Sequence, residues 1–272
     1  MKKHIGIIGG GAAGMMAAVT AARKGTKVTI LERNDRIGKK ILQTGNGKCN
    51  LGNKNLTVEC YHGGDAAWIK QALERFGTED TVCFFQKIGL LIKEKNGYLY
   101  PVSEQAASVL DVLRYELQTL GVEIIYGCKV QKVERTRSGK LVVNDGDREW
   151  QFDAVILTCG GKAAPGTGSD GSGWKIAKKA GHTCIAPVPA LVQLRCLETD
   201  LLKGIAGVRA DSRVRILCDG RETDVERGEL QLTEYGISGI PIFQLSRDVN
   251  YLLRDRKTVM AEIDFLPDMT EE

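Results

Sequence analysis

The sequence has 272 residues, 43% of them hydrophobic, which is enough for a nucleotide-binding domain and a second unit rather than one oversized domain. Its 38 basic and 34 acidic residues leave a formal charge of +4, with both signs mixed along the chain. Charge therefore gives no support to nucleic-acid or membrane partners. The eight cysteines stand apart at Cys49, Cys60, Cys83, Cys128, Cys159, Cys184, Cys196 and Cys218 without a CxxC or metal-ligand spacing. That usage predicts free thiols in a reducing cytoplasm and no metal. The chain passes from Met1-Lys2-Lys3 straight into an apolar strand, and no signal-type or membrane-spanning stretch follows.

In chain order, residues 4–8 (His-Ile-Gly-Ile-Ile) predict a buried parallel strand ending in glycines. Ala12 to Lys24 is rich in alanine and methionine and closes on Gly25, a helix with a glycine stop. Lys27 to Leu31 predicts the second strand of a βαβ unit. Helical spacing recurs around 66–76 and 105–120; the latter follows Pro101-Val102-Ser103 and stops at Gly121, before a strand at Val122–Tyr126. From Val130 to Phe152, short alternating segments turn at Ser138-Gly139 and Asp145-Gly146, which predicts a small antiparallel meander before a buried strand at Ala154–Thr158. Beyond Pro187 and Pro189, β-type runs at 213–217 and 258–265 lose the βαβ rhythm. The expected division is 1–190 for an α/β nucleotide-binding domain and 191–272 for a β-rich one. The densest basic stretch, Arg254-Asp255-Arg256-Lys257, is broken by an acid and reads as a solvated turn or helix end.

The chemistry begins at Gly9-Gly10-Gly11-Ala12-Ala13-Gly14, a GxGxxG turn between a strand and a helix. Gly9 permits the tight turn, Gly11 lets the backbone approach a pyrophosphate, and Gly14 lets helix pack on strand. The pyrophosphate then rests on the helix N-terminus beside Ala12 and Ala13. Glu32 ends the second strand, where a carboxylate accepts from a ribose hydroxyl and repels a 2′-phosphate, so FAD or NAD is preferred over NADP. The competing reading is an ordinary turn and a surface glutamate. A second match, Gly166-Thr167-Gly168-Ser169-Asp170-Gly171, lacks a strand directly before it and an acid about twenty residues on, and reads as a loop and helix start. The segment from Gly38 to Asn50 concentrates glycines, amides and lysines with no regular period. Its glycines allow close approach to a flat ligand, and Lys40 and Lys48 suit phosphates or the electron-rich edge of a reduced flavin; a plain surface loop is the alternative.

Taken together, IGGGAAG at the start, GKKILQTGNGKCN at 38–50, Tyr100-Pro101-Val102-Ser103 and Thr158-Cys159-Gly160-Gly161 resemble the BaiN-type (aminoacetone-oxidase-like, HI-type) NAD(P)/FAD-dependent oxidoreductase family along the whole chain. The segment from Gly228 to Pro241 is similar to that family's GELLFTHxGLSGP stretch, but Glu234 replaces the histidine and Ile240 separates Gly239 from Pro241. No catalytic role is carried over to that position.

The resemblance implies a Rossmann-like FAD domain interrupted by a β-rich insert. The flavin would run from the Gly9–Gly14 turn toward Thr44, Gly45, Lys48, Cys49 and Asn50. Thr158, Gly160 and Gly161 would end a strand beside it, Val130 would approach the adenine, and Arg33 would join Glu32 at the cofactor. Cys49 in this setting suits packing better than redox relay, since no second cysteine lies at short spacing. His4, His62 and His182 suit structural roles, so no acid or base is named. The implied activity is hydride or electron-pair transfer between a flavin and a small organic substrate, enone reductase or amine oxidase in type, with NAD(P)H as a transient reductant or oxygen as second partner. Two alternatives stay open: a nicotinamide-only dehydrogenase, which leaves 38–50 unexplained, and a tRNA-modification-like or non-catalytic FAD-binding module, which lacks a basic, aromatic-interleaved patch. The resembled family continues well beyond this length, and Leu266–Glu272 reads as a helix start with Thr270 as N-cap and glutamates in the first turn. A C-terminally truncated chain with an incomplete insert and weakened flavin binding is the expectation.

Overall fold

The computed structural model describes residues 2–269, so the helix start expected at Thr270 lies outside the described residues. The chain divides into two compact units, Met1–Cys184 and Ile185–Glu272, against an expected boundary near 190.

The first unit opens with β1 (His4–Ile8), α1 (Ala12–Arg23) and β2 (Lys27–Leu31), the two strands parallel and in register from His4 opposite Lys27 to Ile8 opposite Leu31. A 3-10 segment at Ile41–Gly47 leads to β3 (Gly52–Asn53), α2 (Ala66–Arg75), α3 (Thr78–Lys87), β4 (Ile92–Lys95), β5 (Tyr98–Pro101), α4 (Ala106–Thr119) and β6 (Glu123–Ile125). The antiparallel meander β7 (Lys132–Arg135), β8 (Leu141–Asn144) and β9 (Glu149–Phe152) precedes β10 (Ala154–Leu157) and α5 (Ser172–Lys179). The main sheet is parallel throughout, in the order β10-β1-β2-β6.

The unbroken apolar runs of β1 and β2 reflect a sheet covered on both faces. Ile7 and Ile30 turn to one side, against Met15, Ala18 and Val19 of α1 and Leu113 and Leu117 of α4. Ile8 and Leu31 turn to the other, where Val143 and Phe152 of the meander close over them. Each fully buried large side chain here contributes roughly 1.5–3 kcal/mol relative to exposure.

Two features of this unit escaped the sequence reading. One is α3, whose first turn is capped by Asp80 accepting from the Gly77 N–H at 2.9 Å. The other is the β3-β5-β4 sheet, whose hairpin turns at Asn96-Gly97, both with positive φ (53° and 83°). Asn-Gly between β-type runs is the strongest short-range hairpin signal, and it was present in the sequence.

The second unit comprises β11 (Leu194–Arg195), α6 (Thr199–Lys203), β12 (Arg209–Cys218), β13 (Arg221–Thr233), β14 (Gly236–Gly239), α7 (Ile240–Arg254) and β15 (Val259–Asp264). Its antiparallel sheet runs β11-β14-β13-β12-β15. Alternation in β12 buries Val214 and Ile216 with Leu230 and Leu232 of β13, against Ile242, Leu245 and Val249 of α7. The intervening arginines face outward: Arg215 meets Glu262 at 3.0 Å. Where β-type runs alone were expected, the unit also carries the fifteen-residue α7, with Pro241 in its first turn. The basic stretch from Arg254 begins at the end of that helix. Among the described residues, no helix is long and apolar enough to cross a membrane.

Gly14 fixes α1 against β1. A Cβ there would collide with the Gly9 carbonyl oxygen and approach the Thr158 hydroxyl to 2.9 Å. Gly14→Ala is therefore expected to cost about 1–3 kcal/mol or more through overpacking. A urea midpoint equal to that of the wild type would contradict this packing.

Candidate functional site

The site starts from the turn after β1. Gly9, at φ +106°, reverses the chain while its N–H donates to the Leu31 carbonyl at 2.9 Å. The Gly10 N–H donates to Glu32 Oε2 at 2.7 Å. Gly11 is the N-cap of α1 and carries no side-chain cap, and no acidic residue stands in the first turn. Among the described residues nothing accepts from the amides of Gly11, Ala12 and Ala13. Three N–H groups with the positive end of the helix dipole behind them form an anion site.

These amides face a cavity of about 280 Å3 built entirely within the first unit. Glu32 lies across it, only 5% exposed. Besides Gly10, its carboxylate is held by the Asn34 N–H at 2.8 Å and Asn34 Nδ2 at 2.7 Å, both on Oε1. Three of roughly four lone-pair positions are thus filled from within the chain, and one remains for a ligand hydroxyl. A Cβ built on Gly11 meets nothing within 4 Å, so the space above the turn is open. Open space over uncapped amides, with a buried acid opposite, fits the ADP half of a dinucleotide.

The expected residues divide between the cavity wall and its surroundings. Gly9, Gly11, Ala12, Ala13, Glu32, Arg33, Gly38, Lys40, Thr44, Val130, Thr158 and Gly160 all line it. Gly14 lies behind the turn, as its packing role requires. Gly45, Lys48, Cys49, Asn50 and Gly161 do not reach the wall. The chain leaves helical geometry at Thr44 (ψ 148°) and adopts left-handed conformations at Gly45 and Asn46, which carries the following residues away. Lys48 is then held by Glu104 at 2.8 Å, Cys49 is buried in the core, and Asn50 Oδ1 accepts from the Gly52 N–H. Lys48 and Lys93 together hold the Glu104 carboxyl down to about 2. Lys40 touches the cavity, but its ammonium donates to the Ala163 carbonyl at 2.7 Å.

Sequence reading missed the contribution of 167–169. Thr167, Gly168 and Ser169 line the cavity, drawn in by Arg33. Its guanidinium pairs with Asp170 at 2.7 Å and donates to the Gly168 carbonyl at 3.2 Å, while Asn34 Nδ2 reaches the Thr167 carbonyl at 3.3 Å. The Arg33 guanidinium, followed by Ser172, holds the Asp170 carboxyl far below the usual carboxylate range. No local motif announces a pairing across more than 130 residues. Two cysteines also line the wall. Burial, with Asp145 next, pushes the Cys128 thiol up to about 12; burial, with Glu32 next, pushes Cys159 up to about 11. Neither offers a thiolate at neutral pH. His4, away from the cavity, is bonded through Nε2 to the Thr29 hydroxyl at 2.9 Å. Among the described residues, no cluster of His, Cys, Asp and Glu is placed to hold a metal.

Residues 3–242 match the sequence profile of the HI0933-like protein Rossmann domain. The chain belongs to this family. It is 46% identical over 268 residues to a 3-dehydro-bile acid delta(4,6)-reductase of Clostridium scindens, covering 98% of this chain and 65% of that protein. It is 32% identical over 271 residues to a ribosomal RNA dihydrouridine synthase of Haemophilus influenzae, again covering 98% of this chain and 65% of the relative. The chain thus spans somewhat less than two thirds of the length of these relatives. It is also similar to the 3-ketosteroid-delta4-(5alpha)-dehydrogenase of Rhodococcus jostii RHA1, at TM-score 0.48 and 15% identity, covering 80% of this chain and 57% of that one. The family membership agrees with the resemblance carried by the sequence motifs.

The two cavity thiols have a pH consequence. Their folded-state values lie above the ordinary 9.0, so the stability they contribute is complete below that value and is lost as pH rises toward 11 and 12. Alkylation by iodoacetamide at about pH 8 is expected to modify the exposed Cys60 and Cys83 while sparing Cys128 and Cys159. Mass spectrometry of the native protein checks this, and labelling of Cys128 at the rate of Cys60 would contradict the buried placement.

Proposed function

We propose that this chain carries the FAD-binding portion of an oxidoreductase that reduces a carbon–carbon double bond conjugated to a carbonyl. The observation that carries the reading is the free amide triplet of Gly11, Ala12 and Ala13 opening on a cavity closed by Glu32. In this reading, those amides take the pyrophosphate. Glu32, already oriented by Gly10 and Asn34, receives the adenosine ribose hydroxyl and repels a 2′-phosphate. Val130 faces the adenine, and Gly38, Lys40, Thr44, Thr158 and Gly160 border the remainder. Arg33, fixed on Asp170, keeps the 167–169 loop against the ligand and water away from it. When bound, the flavin supplies the exchange of a hydride equivalent; the chain supplies orientation and electrostatics. NAD(P)H is the proposed transient reductant, and a reducing cytoplasm is the proposed compartment, a reading supported by cysteines that form no disulfide among the described residues.

Similarity at 46% to a bile-acid reductase favours the reductase direction over amine oxidation and a small apolar enone as substrate. The similarity at 32% to a ribosomal RNA dihydrouridine synthase supports a second reading, in which uracil in RNA is the acceptor. Both substrates place a double bond in conjugation with a carbonyl, so the reaction class is common to the two readings.

The cofactor assignment is tested by two variants. Gly11→Val fits its backbone, since φ is −77° and a Cβ meets no atom, yet its branches fill the pyrophosphate space; it is expected to fold and to lose flavin. Glu32→Ala is expected to weaken FAD by roughly 1–3 kcal/mol. Wild-type flavin content in Gly11→Val would sink the assignment. Anaerobic reduction of the flavin by NADH or NADPH, followed by reoxidation with a steroid enone, a uridine oligonucleotide or oxygen, then identifies the acceptor.

A further inference from the structure

The second unit contains a shallow cavity of its own, wide open to the surface and lined by Leu191, Val192, Gln193, Arg195, Tyr235 and Phe243. Its chemistry is one-sided. Leu191, Val192 and Phe243 offer hydrocarbon, and no acidic residue contributes to the wall. The Arg195 guanidinium lies 5.7 Å from the centroid of the Tyr235 ring. Among the described residues no carboxylate pairs with it, nor with Arg221 or Arg256, whereas Arg209, Arg213, Arg215 and Arg227 of the same unit each hold an aspartate or glutamate. The Tyr235 hydroxyl donates to Gln193 Oε1, and among the described residues nothing accepts from that glutamine's amide nitrogen. The cavity therefore presents a stacked cation and an unused amide donor beside an apolar wall.

The backbone at the mouth is also unusual. Leu191 is held at φ +54°, in the left-handed region that a branched side chain rarely adopts, and is 71% exposed. The next residue is tied down, with the Val192 N–H donating to the hydroxyl of the buried Ser246 at 3.2 Å. A strained segment that holds a large apolar side chain in water calls for a compensating partner.

We propose that this cavity binds an apolar molecule bearing a carboxylate, with the acid on Arg195 and Gln193 and the hydrocarbon against Leu191, Val192 and Phe243. The site goes beyond the flavin reading, because none of its residues belongs to the glycine-turn cavity and its occupation requires no cofactor. Fatty acids and steroid acids share this chemistry.

Isothermal titration of the full chain with decanoate, cholate and decanol, each below its micellar range, tests the proposal. Saturable binding of at least one acid is expected, with decanol weaker than decanoate. Arg195→Gln, at an exposed side chain, is expected to weaken the acid by on the order of tenfold, the loss of one charge-assisted hydrogen bond, and to leave decanol unchanged. Arg195→Lys is expected to retain most of the acid's affinity. Tighter cholate than decanoate identifies a steroid acid, and the reverse order a fatty acid. Gly11→Val is expected to bind the acid normally, so loss of the flavin reading and loss of this one fall on different variants. Absence of binding by both acids, equal affinity for decanoate and decanol, or an unaltered acid affinity in Arg195→Gln would overturn the proposal.

Discussion

The Gly10 N–H donates to Glu32 Oε2 at 2.7 Å, and that bond ties the turn after β1 to the acid after β2, two walls of one cavity. The acid sits at the end of β2, one strand over from the turn that it grips, and it is buried. A buried carboxylate is tolerated only when its lone pairs are filled, and here Asn34 fills the other oxygen from both its N–H and its side-chain amide. The same Asn34 amide reaches the Thr167 carbonyl, while Arg33 binds Asp170. One acid thus fixes the turn on one side and, through its two neighbours, the distant loop on the other.

The parallel sheet makes this arrangement possible. Covered on both faces by apolar side chains, β1 and β2 end together, so the turn after β1 and the acid after β2 emerge at the same edge. Close contact of α1 with that edge, allowed by Gly14, leaves the first helical amides aimed into the cavity rather than into the core. In the proposed reading, charge repulsion at Glu32 and attraction at the amides select the same ligand chemistry from opposite walls.

The second unit follows a different logic. Its antiparallel sheet covers one face with α7 and leaves the other to charged pairs between neighbouring strands, as antiparallel sheets commonly do. At the β11 edge of that sheet, the Arg195 guanidinium lies against the Tyr235 ring and, among the described residues, pairs with no acid.

The sequence by itself determined the parts whose causes are local. The apolar run of residues 4–8, the glycine spacing at 9, 11 and 14, the acid at 32 and the alternation of the 130–152 meander each arise from neighbours along the chain; the structure forms the strand over 4–8 and begins the meander at Lys132. The hairpin at Asn96-Gly97 was equally legible, through a turn signal that the sequence reading passed over. In contrast, the composition of 38–50 predicts one ligand-facing loop, yet only Gly38, Lys39, Lys40, Ile41 and Thr44 reach the cavity. The left-handed turn at Gly45 and Asn46, the pull of Glu104 on Lys48 and the burial of Cys49 divide it, and two of those causes are partners outside the segment. The entry of 167–169 into the cavity depends on Arg33 and Asn34, more than 130 residues earlier. Pairings of that span carry no periodicity or spacing in the sequence; they exist only once the sheet has brought the ends of its strands to one edge.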